Sequence, residues 1–180
     1  MLKNAKDGRV VSRLSKTMMQ VIKSDTVSAR GSSTLATGDL LLLKGFEFNA
    51  GALLGSTVFA PYTVNIDRAT GNVSISMQPF TPLSAIIVPQ GATHFQLLAG
   101  AAAIDFAAQT FESATTQSAV IAWDTNATSR ITLSLALPQA STLPVFVALG
   151  IQFYQQVNGS QYPLTDKSFN ALSLVAVDKP

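Results

Sequence analysis

The stretch YTVNIDRATGNVSISM, residues 62–77, decides how this chain is expected to fold. Apolar residues alternate with polar ones on both sides of the segment RATG at 68–71. This period of two is typical of β-strands that bury one face, and Gly71 stands where a tight turn favours a left-handed residue. The stretch therefore predicts an antiparallel β-hairpin.

Similar patterns recur throughout residues 37–180. Segment 131–137 alternates in the same way, the apolar run 143–157 predicts a central strand, and Asn158-Gly159 predicts a second hairpin turn. Five further segments are candidate strands: 40–48, 84–88, 93–98, 118–123 and 169–177. A short helix is expected only in the alanine-rich stretch 99–108. About nine strands with frequent turns predict an all-β fold, an antiparallel two-sheet sandwich of jelly-roll type.

Residues 1–36 differ from this β-domain and predict a basic N-terminal arm with a linker. Residues 1–30 contain seven Lys or Arg and two Asp, a net charge of +5, whereas the remaining 150 residues have a net charge of −3. A helical period over 9–23 places apolar and basic side chains on opposite sides. The candidate apolar docking face contains Val11, Leu14, Met18, Val21 and Ile22. The candidate contacts to nucleic acid or to another subunit are Lys3, Lys6, Arg9, Arg13, Lys16, Lys23 and Arg30.

Three interpretations of this amphipathic helix stay open. Its apolar face docks on the body or on a neighbouring subunit, its cations neutralise nucleic-acid phosphates without sequence preference, or it lies on a membrane surface. The last is weakened because the apolar face lacks Trp and Phe. No segment has the ~20 apolar residues of a transmembrane helix, and the N-terminus lacks the apolar region of a secretory signal. We expect a cytoplasmic protein or a component of an assembled particle.

The β-domain is unusually poor in charge. Charged residues make up only 12% of the chain, and the windows 69–104 and 131–165 contain none. Free monomers normally keep a charged surface for solubility. The two windows therefore indicate either a surface covered by other copies of the chain or a β-domain with a Ser- and Thr-rich surface. Segment 24–39 is a candidate strand donor to a neighbouring sheet edge.

The residues available for chemistry are few. The absence of Cys excludes disulfides, Cys-ligated zinc, iron–sulfur clusters and thiol catalysis. The single histidine, His94, lies in a predicted strand, and the carboxylates are scattered singly. We therefore predict a protein that is not an enzyme and has no catalytic, metal or cofactor-binding residues. Three aromatic residues are candidates for a ligand- or carbohydrate-binding surface: Trp123, Tyr154 and Tyr162.

Several stretches together resemble an uncharacterised protein family of Bacteroidetes genomes. They are DGRVVSRLSK at 7–16, GDLLLLKGFEFN at 38–49, FAPYTVNIDRATG at 59–71, GATHFQL at 91–97 and LGIQFYQQVNGSQYPL at 149–164. The resemblance implies a bacterial protein and brings no activity, cofactor or site residue with it. The sequence favours a non-enzymatic structural protein that self-associates, as a homo-oligomer or larger assembly, through its low-charge sandwich and its arm. The alternatives are nucleic-acid binding through the basic arm and a ligand- or carbohydrate-binding module.

Overall fold

The computed structural model describes residues 5–29 and 32–180, and this part of the chain is mostly β, with nine strands in antiparallel sheets. The strands are β1 (Tyr62–Asp67), β2 (Asn72–Met77), β3 (His94–Asp105), β4 (Thr110–Gln117), β5 (Ile121–Ala122), β6 (Ile131–Ala136), β7 (Val145–Val157), β8 (Ser160–Pro163) and β9 (Ala171–Asp178). The helices are α1 (Val10–Lys23), α2 (Leu54–Thr57) and α3 (Pro82–Ala85), with 3₁₀ turns at Leu40–Leu43 and Lys167–Phe169. The predicted antiparallel β class and strand number are confirmed.

The first sheet has three strands in the order β1–β2–β6. Its β1–β2 pair is the predicted hairpin, with Val64 opposite Ile75. Gly71 closes the turn at φ +72°, and a Cβ there would lie 2.2 Å from the carbonyl oxygen of Leu137. Glycine is therefore required by the left-handed backbone and by the close approach of the chain that leaves β6.

The second sheet has six strands along the path β4–β3–β7–β8, with β5 also paired to β3 and β9 to β7. The second predicted hairpin joins β7 to β8, and its turn residues Asn158 and Gly159 have φ of 50° and 79°. The outer side of β9 is bonded to the segment before α2, because the Leu174 amide donates to the Phe46 carbonyl at 2.9 Å. This edge of the sheet is therefore covered.

The inner face of the second sheet packs against the first sheet in the main hydrophobic core. Phe95 of β3, Ile75 of β2 and Leu149 of β7 are fully buried there. The alanines of β3 at 99, 101 and 103 face the same core, and their small side chains allow β6 to lie close to β3. Residues that alternate along each strand thus bury one face of each sheet.

The outer face of the second sheet is covered in part by α1 and the 3₁₀ turn Leu40–Leu43. Val10 and Val21 of α1 belong to a second hydrophobic cluster with residues of this turn and of the sheet. The other buried members are Leu40, Leu43, Phe46, Phe146, Leu174 and Val177. The helix thus rests on its own chain, and the division into an arm of residues 1–36 and a domain of residues 37–180 stays a prediction.

Two predicted strands begin instead with helical turns. Segment 40–48 starts with the 3₁₀ turn, because the Asp39 carboxylate accepts the Leu41 amide and so caps it. Segment 84–88 overlaps α3, whose first turn contains Pro82, a residue suited to a helix start. Strand character persists in each segment only as an isolated bridge.

The stretch 99–108 is not helical, which corrects the expectation of a short helix there. It extends β3 as far as Asp105, because its alternate residues are needed on two apolar faces and tertiary packing overrides the helix propensity of alanine. Strand β4, with the sequence TFESATTQ, was not predicted. Its exposed Thr and Ser residues give no clear alternation, so its strand character depends on pairing with β3.

Candidate functional site

Four of the cations predicted to contact nucleic acid or another subunit are exposed: Lys6, Arg9, Lys16 and Lys23. Three of these recur every seven residues, so they lie along one side of α1. We call Arg9, Lys16 and Lys23 the basic ridge. The predicted contacts Lys3 and Arg30 lie outside the described residues.

Arg13 is bound within its own chain. Its guanidinium group donates to the Asp7 carboxylate at 2.6 Å, to the Glu47 carbonyl at 2.6 Å and to the Phe48 carbonyl at 3.2 Å. It also lies over the Phe46 ring, 5.1 Å from the ring centroid. These contacts hold α1 against the segment that borders β9. In this structure the Arg13 charge anchors the helix within its own chain, and contact of Arg13 with a partner stays a prediction.

Two carboxyl groups beside Arg13 have pKa values shifted in opposite directions. The backbone N–H of Ala50 makes the largest contribution to lowering the pKa of Asp7, and the Arg9 N–H and the Arg13 guanidinium act in the same direction. Burial raises the pKa of Glu47, although hydrogen bonds and the Arg13 charge oppose the shift. Asp7 is therefore the ionised partner that stabilises the anchor of α1.

The apolar face predicted for α1 is largely turned toward the body. Four of its five residues are buried or half-buried: Leu14, Met18, Val21 and Ile22. Val11 is 72% exposed, and Val10 takes its place in the second cluster. Val11 is therefore not buried against the body, and docking through Val11 stays a prediction.

An apolar pocket of about 410 Å³ lies between α1 and the outer face of the second sheet. Leu14 and Met18 line its helix side. Gly100 and Ala102 of β3, together with Ala148 of β7, line its sheet side, where their small size leaves the space open. Three aromatic rings complete the walls: Phe48, Phe106 and Phe146, the last two in edge-to-face contact with centroids 6.1 Å apart.

The side chains that line this pocket carry no charge. Its hydroxyl groups belong to Ser113 and Thr115 of β4, and both residues are exposed. The polar groups therefore mark the side on which the pocket meets solvent. No sequence pattern predicted this pocket. Its signal in the sequence is the run of Gly and Ala at 99–103, which lies within the stretch 99–108 where a short helix is expected.

Strand β4 forms an edge of the second sheet and is exposed over most of its length. Just after the end of β4, the Ser118 amide donates to the Leu97 carbonyl of β3. In an antiparallel pair, every second residue is bonded to the partner strand, so this bond shows which residues of β4 are bonded to β3. By that alternation, every second residue of β4 points its backbone N–H and C=O away from β3: Phe111, Ser113, Thr115 and Gln117. Within the described residues, no backbone hydrogen bond from another segment reaches these groups.

A polar cluster occupies the opposite end of the same sheet face. Gln96 is buried, and its Oε1 accepts from Gln152 Nε2 at 2.7 Å and from the Tyr154 hydroxyl at 2.8 Å. The Nε2 of Gln96 donates to the Ser118 carbonyl at 2.7 Å. Burial raises the pKa of Tyr154, so the phenol stays protonated as a donor. The cluster satisfies its own hydrogen-bonding groups, which is the role expected of buried polar side chains in a sheet.

The remaining candidates lie in ordinary structural positions. His94 Nδ1 is 2.8 Å from the hydroxyl of its neighbour Thr93. Trp123 packs against the main core and donates from Nε1 to the Ile86 carbonyl at 2.9 Å, so its ring is not a free binding platform. Tyr162 on β8 is exposed. The structure thus leaves Tyr162 as the exposed member of the three aromatic candidates.

Neither a metal-binding cluster nor a membrane-spanning helix occurs within residues 5–29 and 32–180. In that part of the chain, no three His, Asp or Glu side chains are arranged to hold a metal ion. There too, no helix has the length and hydropathy needed to cross a bilayer. The expectation that the protein lacks catalytic, metal and cofactor-binding residues stays a prediction.

No family model matches the chain, and no curated protein matches it significantly. This agrees with the resemblance to an uncharacterised family. One similar solved structure is described as "pH-induced modulation of Streptococcus parasanguinis adhesion by Fap1 fimbriae". It is 12% identical, with 64% of this chain and 80% of that chain covered and a TM-score of 0.29. A similarity at this level carries no argument about function.

Proposed function

We propose that this protein is a non-enzymatic structural protein that self-associates through the outer edge of β4. In this proposal, the two sheets form a two-sheet sandwich of jelly-roll type, preceded by a basic arm. The main core supports that arrangement, because apolar side chains of both sheets meet in it. The observation that carries the proposal is the unpaired backbone of β4, since a free strand edge is a template for pairing with another chain.

The edge of β4 has few of the features that usually prevent such pairing. It contains no Pro and no Lys, and Glu112 is its single charge. Its eight residues also exceed the four of β8, while the far edge of β9 is already covered. Long exposed edges with little charge and without proline or a bulge favour edge-to-edge association. Among the edges of the second sheet, β4 is therefore the one most suited to pairing with a second copy.

The distribution of charge supports the same proposal. Window 69–104 includes β2 and most of β3, and window 131–165 includes β6, β7 and β8. Strands from both sheets therefore contribute neutral Ser, Thr, Asn and Gln side chains to the surface. A surface of this kind sets up little charge repulsion between copies.

The test is the mass of the full chain in solution, measured by light scattering during size-exclusion chromatography. Phe111 is 67% exposed on the edge of β4, and Phe111→Lys places a charge beside the proposed contact. Tyr162→Lys makes a matched aromatic-to-lysine change on β8. We expect the wild type and Tyr162→Lys to form oligomers and Phe111→Lys to elute as a 19.0 kDa monomer. A monomeric wild type at high concentration would refute the proposal, as would oligomers that survive Phe111→Lys.

A second candidate function is nonspecific nucleic-acid binding, and the basic ridge favours it. Arg9, Lys16 and Lys23 face solvent together, in a geometry that can follow phosphates. Replacing all three by Gln should abolish binding to a short DNA duplex, and each lost phosphate contact lowers the salt slope by about 0.9. The control replaces Lys44 and Arg130 by Gln. Equal affinity in the wild type and the triple variant would exclude this function.

A further inference from the structure

The pocket beneath α1 has the size and walls of a small-molecule site. Its volume of about 410 Å³ falls within the range of ~300–1,000 Å³ that is usual for ligand pockets. This space holds roughly 14 water-sized groups at ~30 Å³ each. Water finds few hydrogen-bonding partners among apolar walls, so an apolar molecule gains by displacing it.

The sheet side of the pocket is lined by small residues, which let a ligand come close to the backbone of the sheet. Gly100 lies in the interior of β3, where glycine weakens a strand because it lacks a side chain to pack. Ala102 and Ala148 lie beside it on the same outer face. Glycine in a strand interior often marks a place where a ligand or another backbone approaches closely. Here that place is also the base of the pocket, so both features point to the same volume.

The helix side of the pocket is adaptable. Leu14 and Met18 are half-buried, and Met18 carries an unbranched thioether that can fit ligands of different shape. The helix is held in place elsewhere, by Arg13 at the segment that borders β9. The pocket can therefore be filled without breaking the anchor of α1.

The uncharged lining of the pocket indicates which class of ligand can bind in it. An ionised group moved into these apolar walls would lose its hydration and find no opposite charge there. The hydroxyl groups of Ser113 and Thr115 stand at the solvent side and can bond a single neutral polar end. We infer that this pocket binds an uncharged apolar molecule whose polar end, where present, lies beside β4. This site adjoins the strand edge proposed for self-association, because Ser113 and Thr115 belong to both.

The test uses the full chain and a neutral fluorescent probe, N-phenyl-1-naphthylamine, displaced by a series of 1-alkanols. Each added methylene should tighten binding about fourfold until the pocket is full. At pH 8, decanoate should bind at least tenfold more weakly than 1-decanol, because only the alkanol is uncharged. A wild type that does not bind the probe would overturn the inference. Equal affinities for 1-decanol and decanoate would overturn the predicted selectivity for uncharged ligands.

Two variants that fill the pocket locate the site. Ala102→Leu and Ala148→Leu add volume from two different strands, and each should weaken probe binding at least tenfold. Ala136→Leu on β6 is the matched control, because Ala136 is exposed and lies outside the pocket. Circular dichroism and Trp123 fluorescence confirm folding, since Trp123 packs in the separate main core. If either pocket variant folds and keeps the affinity of the wild type, the ligand does not occupy this pocket and the inference fails.

Discussion

Replacing Arg13 by Met tests whether this cation anchors α1 to the body. Methionine keeps a long side chain that can pack over the Phe46 ring, and it has a helix propensity close to that of Arg. The substitution removes the charge and the bonds to the carbonyls of Glu47 and Phe48. Its effect therefore reports on the guanidinium group itself.

The expected magnitude follows from these contacts. Hydrogen bonds from a charged donor contribute ~1.5–3 kcal/mol each when buried, and a cation–π contact contributes ~0.5–1 kcal/mol. The Arg13 side chain is 30% exposed and its Nε has no partner, so values at or below the low end apply. We expect Arg13→Met to lower the free energy of unfolding by about 2–3 kcal/mol, which lowers Tm by roughly 5–10 °C in a chain of this length.

The assay is urea unfolding followed by far-ultraviolet circular dichroism and by Trp123 fluorescence. Lys16→Met is the control, because Lys16 lies on the exposed side of the same helix, where substitutions usually change stability by less than ~0.5 kcal/mol. If Arg13→Met and Lys16→Met unfold at the same urea concentration, Arg13 does not anchor the helix.

Two further predictions concern the first hairpin and the pH dependence of the helix anchor. Gly71→Ala should lower the free energy of unfolding, measured in urea, by at least about 3 kcal/mol. A non-glycine residue in the left-handed conformation costs ~1–2 kcal/mol, and the new Cβ would also clash with the Leu137 carbonyl oxygen. Gly159 is also left-handed, but a Cβ there would meet open space, so Gly159→Ala should cost only ~1–2 kcal/mol of unfolding free energy. Equal losses of stability in the two variants would contradict the clash at Gly71. The pKa of Asp7 is lowered from 3.8, chiefly by the Ala50 amide, so its ionised form stabilises the fold above pH 3.8 and this contribution is lost as the pH falls through the lowered pKa. Asp7→Asn should therefore be less stable than the wild type at pH 7, and thermal unfolding should show the difference shrinking below pH 3.8; a difference independent of pH would contradict this role.

The parts of the fold that sequence predicts well are those with local causes. The β1–β2 hairpin follows from alternation around Gly71, and the β7–β8 hairpin follows from the turn propensity of Asn158 and Gly159. The period of α1 likewise separates its basic and apolar sides. The sequence missed β4 and the continuation of β3 through 99–105, because Ala, Ser and Thr residues show little preference until a partner strand is present.

The sequence by itself determined the β class, the two hairpins and the amphipathic helix, because each depends on residues a few positions apart. Only the tertiary structure decided what the charges and small residues do. Arg13 becomes an anchor because the backbone carbonyls of residues 47 and 48 meet it, more than thirty positions away. Arg68, at the first turn, is held by the Asp178 carboxylate at 2.6 Å. Gly100 becomes the base of a pocket only because α1 crosses above it. Such long-range contacts depend on how the chain packs, and no local pattern specifies them.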